Sequence, residues 1–252
     1  MRSLGFLIAR ISCLLLKIDK AEEEAYAHRI GIEERQSKRG DTSERSYLRG
    51  LSTIGNVVAA RIGLATGMRR GEVIALQWKN VDLKHSIIHV TQSITSYGEV
   101  KEPKSDAGKR DLSIDDGTVE HLRRWKLFQA SEMEMLGIGQ TDETPVCCSD
   151  KAEYLRLTNF SRWWRGFCKE SGFPGLRFHE LRHTQATQLI ANGVDIKTVQ
   201  NRLGHASPTL TMSFYAHALP ENDQKAAALI GNLFSQPDKA DGGKQEALKE
   251  AS

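Results

Sequence analysis

The hexapeptide HELRHT, residues 179–184, brings two histidines and an arginine close together in the last third of the chain. His179 and Arg182 are three residues apart, a spacing that places both side chains on one face of a helix. The helix is predicted to run from His179 to Ala191 and to break at Asn192-Gly193. A guanidinium can hold phosphate oxygens and an imidazole can move a proton, so this stretch indicates a site that acts on an anion.

Four other short stretches carry groups with related chemistry, in a fixed order along the chain. They are TGMRRGE at 66–72, EPKSDAGKR at 102–110, LGH at 203–205 and FYAH at 214–217. Together with HELRHT they supply two arginines, a lysine, two histidines and a tyrosine. Such a set can break and remake a phosphodiester without a metal. Each residue type is common, so the prediction depends on the combination and its order.

In this order the stretches resemble those of the tyrosine recombinases of the phage lambda integrase type, over roughly residues 50–234. The resemblance implies an α+β fold, mainly helical, with a small antiparallel three-stranded sheet. It implies DNA cleavage and rejoining through a 3′-phosphotyrosyl intermediate, without metal, ATP or another cofactor. It also implies double-stranded DNA recombination sites as substrate, a homotetramer on paired sites, accessory DNA-bending proteins and a cytoplasmic, nucleoid-associated location.

The resemblance gives each candidate catalytic residue a role. Tyr215 is the nucleophile, and its phenol, with an ordinary pKa of ~10, needs neighbouring cations to ionise. Arg69 and Arg182 hold the phosphate oxygens, because planar guanidiniums donate parallel hydrogen bonds and stay charged. His205 is expected to hydrogen-bond a phosphate oxygen, and His179 to accept or orient a proton near the nucleophile.

Three further residues complete the predicted site. Lys104 lies on a polar hairpin tip and is expected to protonate the leaving 5′ hydroxyl once DNA is bound. Lys101 and Lys109 remain alternatives for this role. Glu72 and His183 are expected to support the catalytic side chains as neighbours.

Other functions fit parts of the sequence. Residues 179–183 match the HExxH pattern of zinc hydrolases, with Glu180 as the base, but Arg182 would then place a cation beside the metal. That interpretation also leaves Arg69 and Tyr215 without a role. A second alternative is a truncated DNA-binding integrase fragment without efficient recombination, since the helices around Asn192-Gly193 resemble a helix-turn-helix. A type IB topoisomerase shares the tyrosine chemistry, although LGH and the compact length favour a recombinase.

The chain of 252 residues is expected to have three parts. Residues 1–50 are a leader and a charged, exposed helical segment, in which a complete core-binding domain is absent. Residues 51–234 are the catalytic domain, and residues 235–252 are a disordered tail. Arg10 interrupts the apolar opening, which is short for a membrane span, so no membrane role is expected. Four cysteines without a CxxC pair indicate a reducing, intracellular compartment.

Hydrophobic periodicity predicts the elements that carry these residues. Strands are expected within 81–95 and at 110–115. The aromatic residues between Phe160 and Phe167 share a buried helical face. The predicted helices cover 51–66, 70–76, 116–136, 179–191, the stretch between Asp195 and Gly204, 209–215 and 222–234.

Overall fold

A computed structural model describes residues 13–27, 49–103 and 108–204. The elements predicted at 209–215 and 222–234, and the tail, lie outside these ranges. The helices within them are α1 in residues 13–27, α2 (Arg49–Thr66), α3 (Arg70–Ile74), α4 (Asp116–Met135), α5 (Leu157–Glu170), α6 (Phe178–Ala191) and α7 (Ile196–Leu203), with a 3₁₀ turn at Trp78–Asn80. The strands are β1 (Val81–Asp82), β2 (Ile87–Val90), β3 (Ser93–Ile94), β4 (Val100–Lys101) and β5 (Arg110–Ser113).

Helix α2 lies at the centre of the core and contacts α4, α5 and α6. Its apolar residues recur at three- and four-residue steps, and Ile54, Val58 and Ile62 are fully buried. Gly67 ends the helix with a φ of 68°, a backbone conformation that glycine adopts without strain. The chain therefore turns sharply into α3, and this turn carries Arg69.

Helix α1 packs on the core through one face, so the prediction of an exposed helix in the charged residues 19–50 is wrong at Glu22. Leu14 and Ile18 belong to the main core, and Glu22 is 1% exposed. Two basic side chains lie beside the buried carboxylate of Glu22: His121 Nδ1 is 2.5 Å from Oε2, and Arg124 Nη2 is 3.1 Å from it. The buried residues of α1, Leu14, Ile18 and Glu22, are four positions apart, and the many charged residues between and after them obscure this pattern in the sequence.

The predicted three-stranded antiparallel sheet is present, in the order β1-β2-β5. Ile88 of β2 lies opposite Leu112 of β5, and both side chains are fully buried. Strands β3 and β4 form a separate two-stranded antiparallel ribbon, which the sequence patterns did not distinguish from the sheet. The ribbon lies against α3 and forms one wall of the candidate site.

The aromatic face predicted on α5 anchors the start of α6. Phe160 and Trp164 are buried, and Phe178 of α6 meets both rings edge-on, with centroid distances of 5.0 and 5.3 Å. Gly63 of α2 allows this packing, because a Cβ there would lie 2.2 Å from Cζ of Phe178. These contacts fix the first turn of α6, where HELRHT begins.

Helix α7 follows α6 after the break predicted at Asn192-Gly193, where Gly193 has a φ of 82°. Asp195 caps α7 by accepting a hydrogen bond from the Thr198 amide at 2.9 Å, as predicted. Gly204 ends it in the left-handed conformation, also as predicted. A small second core joins the two helices through Ala186, Ile190, Val199 and Leu203.

None of the helices in the described part of the chain is long and apolar enough to cross a membrane.

Candidate phosphate-binding site

Arg69 lies at the junction of α2 and α3 and is held by Glu72. Its backbone amide donates to Glu72 Oε2 at 2.8 Å, and its Nη1 donates to Oε1 at 2.7 Å. The three-residue spacing makes both bonds possible within one helical turn. The Arg69 side chain is still 42% exposed. Its guanidinium is therefore held by the protein while much of the side chain remains accessible to solvent.

Glu72 is buried between two guanidiniums. Only 4% of its side chain is exposed, and Arg110 of β5 donates to the same carboxylate from Nη2 at 2.8 Å and from Nη1 at 3.3 Å. Burial raises the pKa of Glu72, but the hydrogen bonds and charges of Arg110 and Arg69 outweigh it and leave the pKa below its ordinary value. The carboxylate is thus ionised at neutral pH and holds both arginines.

Arg182 is only 3% exposed, and its recorded hydrogen bonds go to backbone carbonyls. Nη1 donates to the carbonyl of Gly67 at 3.0 Å, and Nη2 donates to the carbonyl of Leu203. Burial, and next the charge of Arg69, lower the pKa of Arg182 to about 9, so the guanidinium stays protonated at neutral pH. Arg182 therefore ties the turn after α2 to the end of α7.

The C-terminal end of α7 is the point where the arginines meet. Three consecutive carbonyls accept from three different guanidiniums, and a helix C-terminus carries partial negative charge that favours cations. As a result, Arg69 and Arg182, which come from distant parts of the sequence, bind the two residues that precede His205 in the chain. The three bonds are Arg110 Nε to the Arg202 carbonyl at 2.8 Å, Arg182 Nη2 to the Leu203 carbonyl, and Arg69 Nη2 to the Gly204 carbonyl at 2.9 Å.

His179 and His183 occupy the first turns of α6, with ring centroids 4.5 Å apart and planes nearly perpendicular. Burial lowers the pKa of His179, and the charges of His183, Arg182 and Arg69 lower it further. Burial and the charge of Arg182 likewise lower the pKa of His183, although Glu180 opposes them. Both rings are therefore predominantly neutral at pH 7, which is the form in which an imidazole can accept a proton.

Glu180, the base in the zinc-hydrolase interpretation, is engaged at the start of α6. Its Oε2 accepts from the Arg177 amide at 2.9 Å, and its Oε1 accepts from Nε and Nη2 of the same residue, both at 3.1 Å. Within the described ranges, no group of three or more His, Cys, Asp or Glu side chains is arranged to hold a metal ion. The geometry of this stretch is that of a capped helix start.

An open cleft of about 620 Å³ lies beside Arg69 and His179. Its lining includes the aromatic side chains of Trp164 and Phe178. No Asp or Glu is among the described residues that line it, so the cleft attracts anions. Its other basic lining residues are Arg70, Arg165 and Arg177.

The family model described as the phage integrase family matches residues 47–222. The chain belongs to the phage integrase family. The ICEBs1 integrase of Bacillus subtilis (strain 168) is 34% identical over 176 residues, which are 69% of this chain and 48% of that protein. The chain thus spans about half the length of the curated relatives it matches.

Solved structures of related proteins share the fold. The Tn1549 transposon integrase in complex with transposon right-end DNA matches with a TM-score of 0.60 and 22% identity, over 75% of this chain and 64% of that one. The XerA recombinase matches with a TM-score of 0.50 and 26% identity, over 71% of this chain and 56% of its own. The chain therefore has the mainly helical catalytic-domain fold that the sequence predicts.

Three predicted site residues of this phage-integrase-family chain, Lys104, His205 and Tyr215, lie outside the described residues. The alternatives to Lys104 are described, and both form exposed ion pairs with nearby glutamates. Lys101 Nζ lies 2.6 Å from Glu99 Oε2, and Lys109 Nζ lies 2.7 Å from Glu102 Oε2.

Sequence reasoning missed Arg110, although a signal for it was available. Residues two apart in a strand point to the same face, and the apolar Leu112 is fully buried. Arg110 shares that face, and its side chain is 6% exposed. A charged residue on the inward face of a strand needs a partner, and Glu72 provides it.

Proposed function

We propose that this member of the phage integrase family is a site-specific DNA recombinase that cleaves and rejoins DNA through a 3′-phosphotyrosyl intermediate. One observation carries the proposal most directly: Arg69 and Arg182 are both bound at the end of α7, on the two residues that precede His205. This geometry supports the proposal because the two arginines that are predicted to bind the phosphate are held side by side.

The arginines would stabilise the charge that develops on the scissile phosphate. Arg69 lines the cleft and is 42% exposed, whereas Arg182 does not line it, so a phosphate in the cleft would meet Arg69 first. Arg182 is buried on carbonyl oxygens, and contact with a phosphate therefore requires a rearrangement at the C-terminal end of α7. Losing one such pre-placed donor typically lowers the rate about 100- to 1,000-fold.

In the proposed step, the phenolic oxygen of Tyr215 forms a bond to phosphorus while the bond from phosphorus to the 5′ oxygen breaks. The phenol proton passes to neutral His179, and Lys104 donates a proton to the leaving 5′ oxygen. His205 donates a hydrogen bond to a non-bridging oxygen, and Glu72 and His183 support the site. One phosphate ester replaces another, so the reaction needs neither ATP nor a metal.

The proposed substrate is double-stranded DNA carrying recombination sites. The arginine-lined cleft fits a phosphate backbone, and the structurally similar Tn1549 integrase is described in complex with transposon DNA. Strand exchange joins two sites, so we propose a homotetramer on paired DNA, assisted by DNA-bending proteins, in the cytoplasm at the nucleoid.

The decisive experiment detects the covalent intermediate. Overlapping nicked duplexes that tile the DNA on both sides of the gene are incubated with the protein in the presence of EDTA and without ATP. The wild type should give a denaturation-resistant protein–DNA adduct, and Tyr215→Phe should give none. Tyr97→Phe is the matched control, because Tyr97 is 91% exposed on the β3–β4 turn.

Each result has a distinct meaning. An adduct that survives Tyr215→Phe contradicts the nucleophile assignment, and loss of the adduct on EDTA treatment contradicts the metal-free mechanism. Stable DNA binding by the wild type without any adduct would instead support the alternative, a DNA-binding fragment without efficient recombination.

A further inference from the structure

Arg110 has no role in the proposed chemistry, yet its guanidinium forms several hydrogen bonds around the candidate site. Its guanidinium donates from Nη2 and Nη1 to Glu72, from Nε to the Arg202 carbonyl at 2.8 Å, and from Nη1 to the Gly108 carbonyl at 3.1 Å. The side chain is 6% exposed, and all three guanidinium nitrogens donate to protein groups. Arg110 therefore joins β5 to the two structures that hold Arg69, which are Glu72 and the end of α7.

We propose that Arg110 is a positioning residue, which pairs with Glu72 and fixes the end of α7 so that Arg69 keeps its charge and orientation for a phosphate. This inference rests on the proposed function. It gives a role to Arg110, which is not among the predicted site residues and takes no part in the proposed reaction step.

The first part of the reasoning concerns charge. Glu72 is a buried carboxylate that binds both Arg69 and Arg110. Without Arg110, Glu72 would keep its ion pair with Arg69, and the charges of Glu72 and Arg69 would cancel. A phosphate would then meet a weakened positive potential. With Arg110 present, the carboxylate is balanced from inside the protein and Arg69 remains a net cation toward the cleft.

The second part concerns geometry. Arg110 Nε binds the Arg202 carbonyl, and the next two carbonyls bind Arg182 and Arg69. A displacement of this backbone would therefore move both predicted phosphate-binding arginines together. A shift of about 1 Å at a reacting centre can cost roughly 100-fold in rate.

The test compares Glu72→Gln, Arg110→Gln, Arg110→Lys and the double variant Arg110→Gln/Glu72→Gln. The control is Arg123→Gln, an exposed arginine on α4 that does not line the cleft. Two measurements are made on the full chain: the dissociation constant for inorganic phosphate, by calorimetry, and the rate of adduct formation on the nicked duplex. DNA affinity and melting temperature are recorded for every variant.

We expect Arg110→Gln to weaken phosphate binding about tenfold, because one positive charge is lost near the anion. The adduct rate should fall roughly 10- to 100-fold, with DNA affinity nearly unchanged. The double variant should recover much of the phosphate affinity, since removing the Glu72 charge restores the balance. A purely structural role for Arg110 would give no such recovery. Arg110→Lys should keep phosphate affinity but form the adduct slowly, because lysine has no Nε to hold the Arg202 carbonyl.

Wild-type phosphate affinity and adduct rate in Arg110→Gln would overturn the inference. So would a double variant whose loss equals the product of the two single losses, because Arg110 would then act independently of Glu72. If Arg110→Gln does not fold, a wild-type adduct rate in Arg110→Lys overturns the geometric part. If phosphate binding depends on Arg110 as expected but the wild type forms no adduct, the proposed function fails while the positioning role stands.

Discussion

Replacing Glu72 with glutamine should cost stability at neutral pH and make stability less sensitive to acid. Glu72→Gln keeps the shape of the side chain but removes the charge that Arg69 and Arg110 share. Arg110 would then remain almost fully buried without a counter-charge. Removing one partner of a buried ion pair typically costs about 3–5 kcal/mol.

The magnitude follows from burial. Glu72 is 4% exposed and Arg110 is 6% exposed, so solvent screens their interaction little. Arg69 is 42% exposed, and its share of the interaction is correspondingly smaller. Glutamine can still accept a hydrogen bond from the Arg69 amide, which places the expected loss near ~3 kcal/mol. For a domain of this size that corresponds to a fall of roughly 6–12 °C in melting temperature.

The pH dependence has a definite sign. The pKa of Glu72 in the folded protein lies below its ordinary value of 4.5. A carboxyl with a depressed folded pKa contributes stability above its unfolded pKa, and that contribution is lost as pH falls through the folded pKa. The wild type should therefore lose its advantage over Glu72→Gln as pH decreases below about 4.5. The difference between the two proteins should be constant from there to neutral pH.

The assay is thermal unfolding followed by circular dichroism, between pH 3 and 8, for both proteins. The difference between the two curves isolates Glu72 from Glu22, a second buried carboxylate whose pKa is also lowered. Glu143→Gln is the control, because Glu143 forms an exposed pair with Lys79 and should change the melting temperature little. Equal melting temperatures at pH 7, or parallel curves throughout, would refute the coupling of Glu72 to the two arginines.

Three further predictions test separate parts of the structure. Gly63→Ala should destabilise the protein by about 1–3 kcal/mol, because the new methyl group meets the Phe178 ring; Phe178→Leu in the same chain should restore part of the loss, and an unchanged melting temperature for Gly63→Ala would contradict this packing. Ile18→Ala should cost roughly 2–4 kcal/mol and speed proteolysis in α1, whereas unchanged stability and proteolysis would mean that α1 is not packed on the core in solution. Arg165→Gln should reduce the salt dependence of DNA binding by about one phosphate contact, and an unaltered salt slope would remove Arg165 from the DNA surface.

Local rules were sufficient for much of the fold. Asp195 and Gly204 mark the ends of α7 in both sequence and structure, because capping depends on residues within one turn. The aromatic face of α5 and the alternation in β5 were equally visible, since periodicity reports which side of an element is buried. Helix α1 failed this test because its buried positions include Glu22, and no local pattern shows that His121, far along the chain, will pair with it.

The candidate site was only partly accessible from the sequence. The stretches around Arg69 and Arg182 could be located in the sequence, but their convergence on the end of α7 could not. It depends on long-range hydrogen bonds, such as the one from Arg69 to the carbonyl of Gly204, which lies 135 positions further along the chain. The burial of Arg182 could not be foreseen either, since arginine is ordinarily exposed. Arg110 was not predicted as a site residue, because the lysines of the same stretch already offered a proton donor. Strand alternation nevertheless places its side chain inward.

The contrast between the two kinds of arginine partner explains how this site can be both buried and positively charged. Glu72 neutralises one unit of charge for Arg69 and Arg110, whereas the carbonyls of Gly67 and Leu203 solvate Arg182 without neutralising it. Burial lowers the pKa of Arg182, so keeping its guanidinium charged costs free energy relative to water. An anion that reached Arg182 after a rearrangement at the C-terminal end of α7 would relieve that cost, because it would supply the missing counter-charge. The uncompensated charge of Arg182 is therefore the feature that would favour binding of a phosphate over a neutral ligand.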